Sequence, residues 1–326
     1  MDNICHTLVG AALAETGLKR RTALGTMTLV IAANAPDIDV LAIPFGRGID
    51  FRRGHTHGVI ALIVLPLVLA LVMALWQRVR GRRFGEPLFS FRATLLLAAI
   101  GVFTHPFLAW MNTYGVRWLM PFDGRWFSAE TLFIVDPVLW ILLGAGWFWG
   151  RRLDRQHSRT ATRPARWALA ASGAYIALMM VASLWTRFEV IRDLAARDAA
   201  PDRIVVSPRP VSVIVREVIH ERDGVYRFGR ATLFAQPMLV PSGDSVPRQA
   251  DHPAARIAAA TPIGRQFLVW SRMPFFSVQQ GGDQARVRLD DARYSRGEPS
   301  WAAVYVRLDA RDGRWVARDA RATVPR

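Results

Sequence analysis

Cys5 is the only cysteine in this 326-residue chain, and Lys19 is its only lysine. A lone cysteine excludes an intramolecular disulfide and a cysteine-ligated zinc cluster, and it leaves the redox compartment open. The formal charge of +16 therefore rests on arginine, and the arginines are spread through both halves. That distribution argues against nucleic acid as a partner, because a nucleic-acid groove needs gathered cations to displace counterions from phosphates. A basic leader is also missing. Met1 to Gly17 has no Lys or Arg, and the first cations follow it at Lys19, Arg20 and Arg21. A secretory signal has the reverse order, so this pattern predicts an N-terminus on the outer side.

What the chain has in place of these is long apolar runs, all before residue 188. Four are of the length needed to cross ~30 Å of hydrocarbon: His57 to Trp76, Ala93 to Met111, Leu132 to Trp149 and Trp167 to Trp185. Two shorter stretches, Ile4 to Leu18 and Thr22 to Pro36, read as a hairpin of short or tilted helices joined at Lys19-Arg20-Arg21. The expected fold class is thus an α-helical polytopic membrane domain of about five to six helices, residues 1–187, followed by a mostly β soluble domain, residues 188–326. In the second part, Arg203–Val206, Val211–Ile219, Tyr226–Phe234, Phe267–Ser271, Ala285–Leu289 and Ala302–Leu308 are rich in β-branched and aromatic residues and read as strands. Arg222-Asp223-Gly224 and Arg311-Asp312-Gly313 supply turns, and Pro237 to Pro253 reads as a loop.

The cations fix an orientation. Lys19 to Arg21, then Arg78, Arg80, Arg82, Arg83 and Arg92, then Arg151, Arg152, Arg155, Arg159, Arg163 and Arg166 all fall on one side if the spans alternate. The opposite side holds Arg47, Arg52, Arg53, Arg117, Arg125 and Arg187, a bias of fourteen against six. The positive-inside rule makes the richer side cytoplasmic. A multi-pass protein of the inner membrane follows, with its C-terminal domain in the periplasm.

Ionisable side chains at membrane depth are costly and mark function. Six stand out: His6, Asp37, Asp39, His57, His105 and Asp136. On the arginine-derived topology each falls near the outer interface. His105, about twelve residues into a rising span, sits ~18 Å up. Three imidazoles with two or three carboxylates suit a divalent cation, and the mixed N and O donors favour Zn or Mn over Mg. Asp37 and Asp39, two residues apart, could share one metal or bridge two. Asp39 could take a proton from metal-activated water, and Arg53 could pair with a phosphate oxygen, although anchoring at headgroups is its plainer role. Asn112, Tyr114, Trp110, Trp118 and Trp126 could line an entry from the outer leaflet, or form an ordinary interfacial aromatic belt.

Six ordered blocks resemble the YdjM-like, LexA-regulated, membrane-bound metal-dependent hydrolases. They are Met1-Asp2-Asn3-Ile4-Cys5-His6-Thr7-Leu8-Val9-Gly10, Ala33-Asn34-Ala35-Pro36-Asp37-Ile38-Asp39, Arg52-Arg53-Gly54-His55-Thr56-His57, Thr104-His105-Pro106-Phe107-Leu108, Asn112-Thr113-Tyr114-Gly115 and Phe133-Ile134-Val135-Asp136-Pro137. The resemblance covers roughly Met1 to Arg152. It implies that His6, Asp37, Asp39, His57 and His105 are metal ligands or their near neighbours. Members of that family commonly carry H-P-x-x-D at the fourth block, and at the place of its Asp this chain has Ala109. Either the site has lost a ligand, or Asp136 or Asn112 compensates.

The function expected is a membrane-bound metal-dependent hydrolase near the outer face of the cytoplasmic membrane, acting on a phosphoester or lipid-linked, amphiphilic substrate among the membrane lipids. Two other classes fit the same residues: a metal-binding transport or sensor protein, and a structural membrane protein with a vestigial site. Transport needs ionisable groups through both leaflets, and the inner half offers only Glu15.

Overall fold

The computed structural model describes residues 1–45, 51–311 and 313–322. The chain divides into two compact units: Met1–Leu41, Arg53–Val181 and Pro208–Val213 in one, and Ala42–Arg52, Ala182–Ser207 and Ile214–Arg326 in the other. Arg47 and Asp312, which carried part of the charge count and one expected turn, lie outside the described residues.

The first unit is helical. Helix α1 (Asn3–Glu15) starts where Asp2 accepts hydrogen bonds from the N–H groups of Ile4 and Cys5, at 3.0 and 3.1 Å. Such a cap satisfies amides that the helix itself leaves unpaired. A 3-10 turn at Leu18–Arg21 reverses the chain into α2 (Gly25–Asn34), and Ala35–Phe45 continues as 3-10 helix. Then come α3 (Ala61–Arg80), α4 (Phe91–Met111), α5 (Pro137–Arg155) and α6 (Arg163–Ala196). Helix α6 runs through residue 188, the expected domain boundary.

Three of these helices, α3, α4 and α6, are long and apolar enough to cross a membrane. On α3, Ile63, Leu71, Leu75 and Val79 are exposed, an apolar surface that marks contact with lipid. The run expected to span at Leu132–Trp149 takes another form. Its helix, α5, starts only at Pro137, and Arg151 and Arg152 follow Gly150. The uncharged helical stretch is therefore about 21 Å long, short of ~30 Å of hydrocarbon. Helices α1 and α2, of 13 and 10 residues, are shorter still. The five to six crossing helices expected thus correspond to three of full length.

Helix α2 packs between α1 and α4. A Cβ on Gly10 would stand 2.7 Å from the carbonyl oxygen of Leu29, and one on Gly101 would stand 2.5 Å from Cβ of Ala32. Glycine at both crossings lets the three backbones approach closely. His6 lies one turn before Gly10 and His105 one turn after Gly101, so both histidines reach the C-terminal end of α2.

The second unit is mostly β. Strands β1 (Arg203–Arg209), β2 (Ser212–Arg222), β3 (Val225–Thr232) and β4 (Leu239–Pro247) form one sheet in that order. Strands β5 (Pro274–Gly281), β6 (Gln284–Asp291), β7 (Val304–Arg311) and β8 (Arg314–Ala322) form a second, also in chain order. The β2–β3 hairpin turns on Asp223 and Gly224, both at positive φ, the conformation that a two-residue Asp-Gly turn supplies. Val205, Ile219, Tyr226 and Phe228 of the first sheet and its flanks share a buried core with Met273, Phe275 and Ala292.

Two sequence expectations are overturned here. Phe267–Trp270 is helical, the end of α8 (Pro262–Trp270), which follows α7 (Pro253–Ala260), and Ser271 is the extended residue after it. Thr261 caps α8 by accepting from the N–H of Gly264 at 3.1 Å, Pro262 opens it, and Gly264, Phe267 and Trp270 are buried at helical spacing. The expected loop at Pro237–Pro253 contains β4. This strand forms the edge of its sheet, where Pro241 and Pro247 need no ladder partner for a missing N–H.

Candidate metal centre

Five of the six ionisable residues converge at one end of the helical unit. His6, Asp37 and His105 form one group whose ligand atoms lie within 4.8 Å of one another, and Asp37, Asp39 and His57 form a second. Asp37 belongs to both. The groups draw on α1, the 3-10 segment after α2, the turn before α3, and α4, so no local motif contains the site.

His105 is the best oriented. Its Nδ1 lies 2.7 Å from the carbonyl oxygen of Ala33, which can only accept, so Nδ1 carries the proton. Nε2 then keeps its lone pair for a metal, and it faces Asp37 Oδ1, 3.5 Å away. A ligating histidine characteristically donates its other N–H to such an acceptor. Proline at position 106 is buried one residue on, within α4.

His57 repeats the arrangement. Its Nδ1 lies 3.0 Å from Thr56 Oγ1 and 3.6 Å from Asp39 Oδ2, while Nε2 faces Asp37 Oδ1 at 3.9 Å. The ring meets His105 edge-on, with centroids 4.9 Å apart. Asp39 is fixed in turn by the backbone N–H of Arg53 at 2.6 Å and the Thr56 hydroxyl at 3.4 Å.

His6 supplies the test of fit. It is completely buried, its ring is stacked on His105 with centroids 3.7 Å apart, and neither of its ring nitrogens has a hydrogen-bond partner among the described residues. Burying two such atoms unsatisfied costs on the order of a kcal/mol or more. A cation between His6, His105 and Asp37 removes that cost for the coordinating nitrogen. The donor set therefore fits a divalent metal with N and O ligands.

The remaining expected site residues take other positions. Asp136 lies outside both groups and caps α5: Oδ1 accepts from the N–H of Val138 and Leu139 at 3.0 and 3.2 Å, and the Tyr175 hydroxyl donates to Oδ2 at 3.0 Å. Arg53 is buried at φ +49°, a left-handed conformation uncommon outside glycine. Its guanidinium donates to Asn112 Oδ1 and to the carbonyl of Gly115, at 3.3 and 3.1 Å, and lies 4.8 Å from the Tyr114 ring centre. Asn112 also accepts from the N–H groups of Tyr114 and Gly115, which closes the turn after α4. Ala109 is fully buried, and its carbonyl receives Arg53 at 3.5 Å. Sequence reasoning missed Thr56 and the Ala33 carbonyl, which orient the histidines. Thr56 sits within the Arg-Gly-His-Thr-His block and was open to that reading. A backbone carbonyl has no sequence signal.

Comparison with known proteins bears on the same segment. The uncharacterized protein YfhP of Bacillus subtilis (strain 168) is 24% identical over 151 residues, 43% of this chain and 43% of that protein. The chain therefore spans less than half the length of that relative. No solved structure matches. The family model described as YdjM inner membrane protein matches residues 1–186. That stretch is more than half of the chain and contains every member of both His/Asp groups, and on that match the chain belongs to the YdjM inner membrane protein family.

Proposed function

We propose that this protein is a membrane-bound, metal-dependent hydrolase that acts near the outer face of the cytoplasmic membrane on a phosphoester or lipid-linked substrate. The observation that carries the reading is the pair of buried His/Asp groups sharing Asp37, with His105 held in the tautomer that a metal requires. His6, His105, His57 and Asp37 would hold the ion, zinc fitting best and manganese next. When bound, such an ion polarises an ester or phosphoryl oxygen and brings the pKa of water toward neutrality. Asp39 keeps the His57 ring aligned and accepts a proton at Oδ2. Arg53 ties Asp39 to the Asn112–Gly115 turn and sets a fixed positive charge beside it.

The lipid-linked part of the reading rests on a groove of about 570 Å³ between α2 and α3. Val30 and Ile31 line one side of it, and Leu65, Val68 and Val72 the other. Asn3, Asn34 and Asp37 supply its polar positions. An amphiphile with its chain along the apolar walls brings its headgroup to Asp37.

The test is the metal content of the detergent-purified protein together with turnover of amphiphilic phosphoesters. Bound divalent metal is expected in the wild type and in His220→Ala and His252→Ala, and lost in His6→Ala, His105→Ala and the Asp39→Ala, His57→Ala double variant. Asp39→Asn should retain metal and lose turnover. Full occupancy in the double variant would dispose of the site.

A further inference from the structure

One face of the second sheet carries a feature that the metal centre does not use. The strand register places Ser277, Arg288, Tyr305 and Arg321 side by side across β5–β8, and beside them Gln279, Arg286, Arg307 and Asp319. These eight side chains face away from the core, into which Val287, Val306 and Leu308 point. The same eight residues line one cavity of about 260 Å³. Its curvature has a local cause. The β7–β8 ladder slips between Arg307 and Leu308, leaving Arg318 without a partner in the ladder, and a bulge of this kind bends its strand.

The charges in this cavity are arranged against stability. Arg286 stands directly opposite Arg307, and like charges in that relation destabilise a sheet. Arg288 is pinned by Asp290 at 2.5 Å and by Ser277 at 3.3 Å. Arg286, Arg307 and Arg321 form no ion pair among the described residues, and Asp319 is the single acid of the cavity. Other arginines of the unit do find acids: Arg203 and Arg248 share Glu221, Arg230 and Arg296 share Glu217, and Arg293 holds Asp291. What sets Arg286, Arg307 and Arg321 apart in an arginine-rich unit is that all three gather round one concavity.

We propose that this face binds a phosphoryl group carrying at least two negative charges, free or on a lipid headgroup. Guanidinium forks are donors only and match phosphate oxygens two at a time, and the Tyr305 hydroxyl adds a further donor. The size of the cavity suits a phosphate or diphosphate. The site is independent of the metal centre.

The experiment is calorimetric titration of the full chain, in detergent and stripped of metal with chelator, with inorganic pyrophosphate. Binding is expected that weakens with added salt and that falls about tenfold or more in the Arg286→Ala, Arg307→Ala double variant, the worth of one or two charged hydrogen bonds. The double variant should melt no lower than wild type without ligand, since facing like charges have been removed. Arg256→Ala and Arg265→Ala, exposed but outside the cavity, should bind as wild type does. Repeating the titration in phosphatidylcholine nanodiscs with and without phosphatidic acid separates the sources. Competition by the acidic lipid assigns a headgroup, and its absence assigns a free phosphoryl compound. No pyrophosphate binding by wild type, or undiminished binding by the double variant, overturns the proposal.

Discussion

At the scale of single residues, the departure from the family pattern at position 109 is a sharp probe of the metal centre. Ala109 is fully buried on α4, one turn after His105, so a side chain there shares that face of the helix. Asp136, the acid that could have compensated, is committed to two backbone amides and to Tyr175. A carboxylate at 109 should therefore meet no competitor. Ala109→Asp is expected to tighten metal binding on the order of tenfold, about 1.4 kcal/mol, by adding an anionic oxygen at low dielectric. Combining it with Asp136→Ala should leave that gain intact while costing about 1 kcal/mol of stability through the lost cap. Metal titration and thermal melts of Ala109→Asp, Asp136→Ala and the double variant check both halves, and unchanged affinity in Ala109→Asp would place position 109 away from the ion. The histidines and the Asp37–Asp39 pair were legible in the sequence alone, because an ionisable group at membrane depth carries a desolvation cost that a function must offset. Asp136 could not be separated from them, because a helix cap and a metal ligand call for the same residue type.

At the scale of elements, the site depends on how closely α1, α2 and α4 approach. His105 reaches the Ala33 carbonyl only because Gly101 lets α4 lie against α2. In Gly101→Val the new Cβ would overlap Ala32 Cβ and press on the Leu29 carbonyl, and overpacking of this kind costs about 1–3 kcal/mol. The expected result is helical content near that of wild type by circular dichroism, with metal affinity sharply reduced. Gly173→Val, on α6 with nothing within 4 Å of a new Cβ, should change neither. Equal metal affinity in the two variants would mean that the crossing does not hold His105. Elements with a strong compositional signal were readable in advance: α3, α4 and α6 as long apolar runs, and β1, β2, β3, β6 and β7 as stretches rich in β-branched and aromatic residues. The failures came where a local signal was outvoted. Phe-Leu-Val-Trp has strand composition, yet the Thr261 cap and Pro262 commit it to a helix. Strand β4, for its part, carries prolines that only an edge position tolerates.

At the scale of the whole molecule, orientation rests on arginines, and the helical unit adds a geometric reason to count them together. Lys19 pairs with Glu15 and with Asp154, at 2.5 and 2.9 Å, and Arg20 pairs with Asp154 at 2.5 Å. These contacts join the turn after α1 to the end of α5. Arg80 and Arg83, from the connection after α3, line the same cavity of about 650 Å³ as Lys19, Arg20 and Asp154. Segments from all three arginine-rich connections thus meet at one end of the unit, as a shared cytoplasmic side requires. Glu15, the inner-half acid that a transport path would need, is neutralised there by Lys19. The resulting expectation is that residues 77–92 and 150–166 face the cytoplasm, while 36–56, 112–131 and the chain beyond α6 face outward. This requires the chain to cross between α4 and α6 through α5, the non-helical residues 132–136 completing the length that its uncharged helical stretch lacks. Alkaline phosphatase and fluorescent-protein fusions placed after Arg83 and after Asp202 should report opposite compartments. If both fusions report one compartment, α4, α5 and α6 cross the membrane an even number of times between them. The metal centre would then lose its assignment to the outer face, and with it the reason to look for a substrate in the outer leaflet.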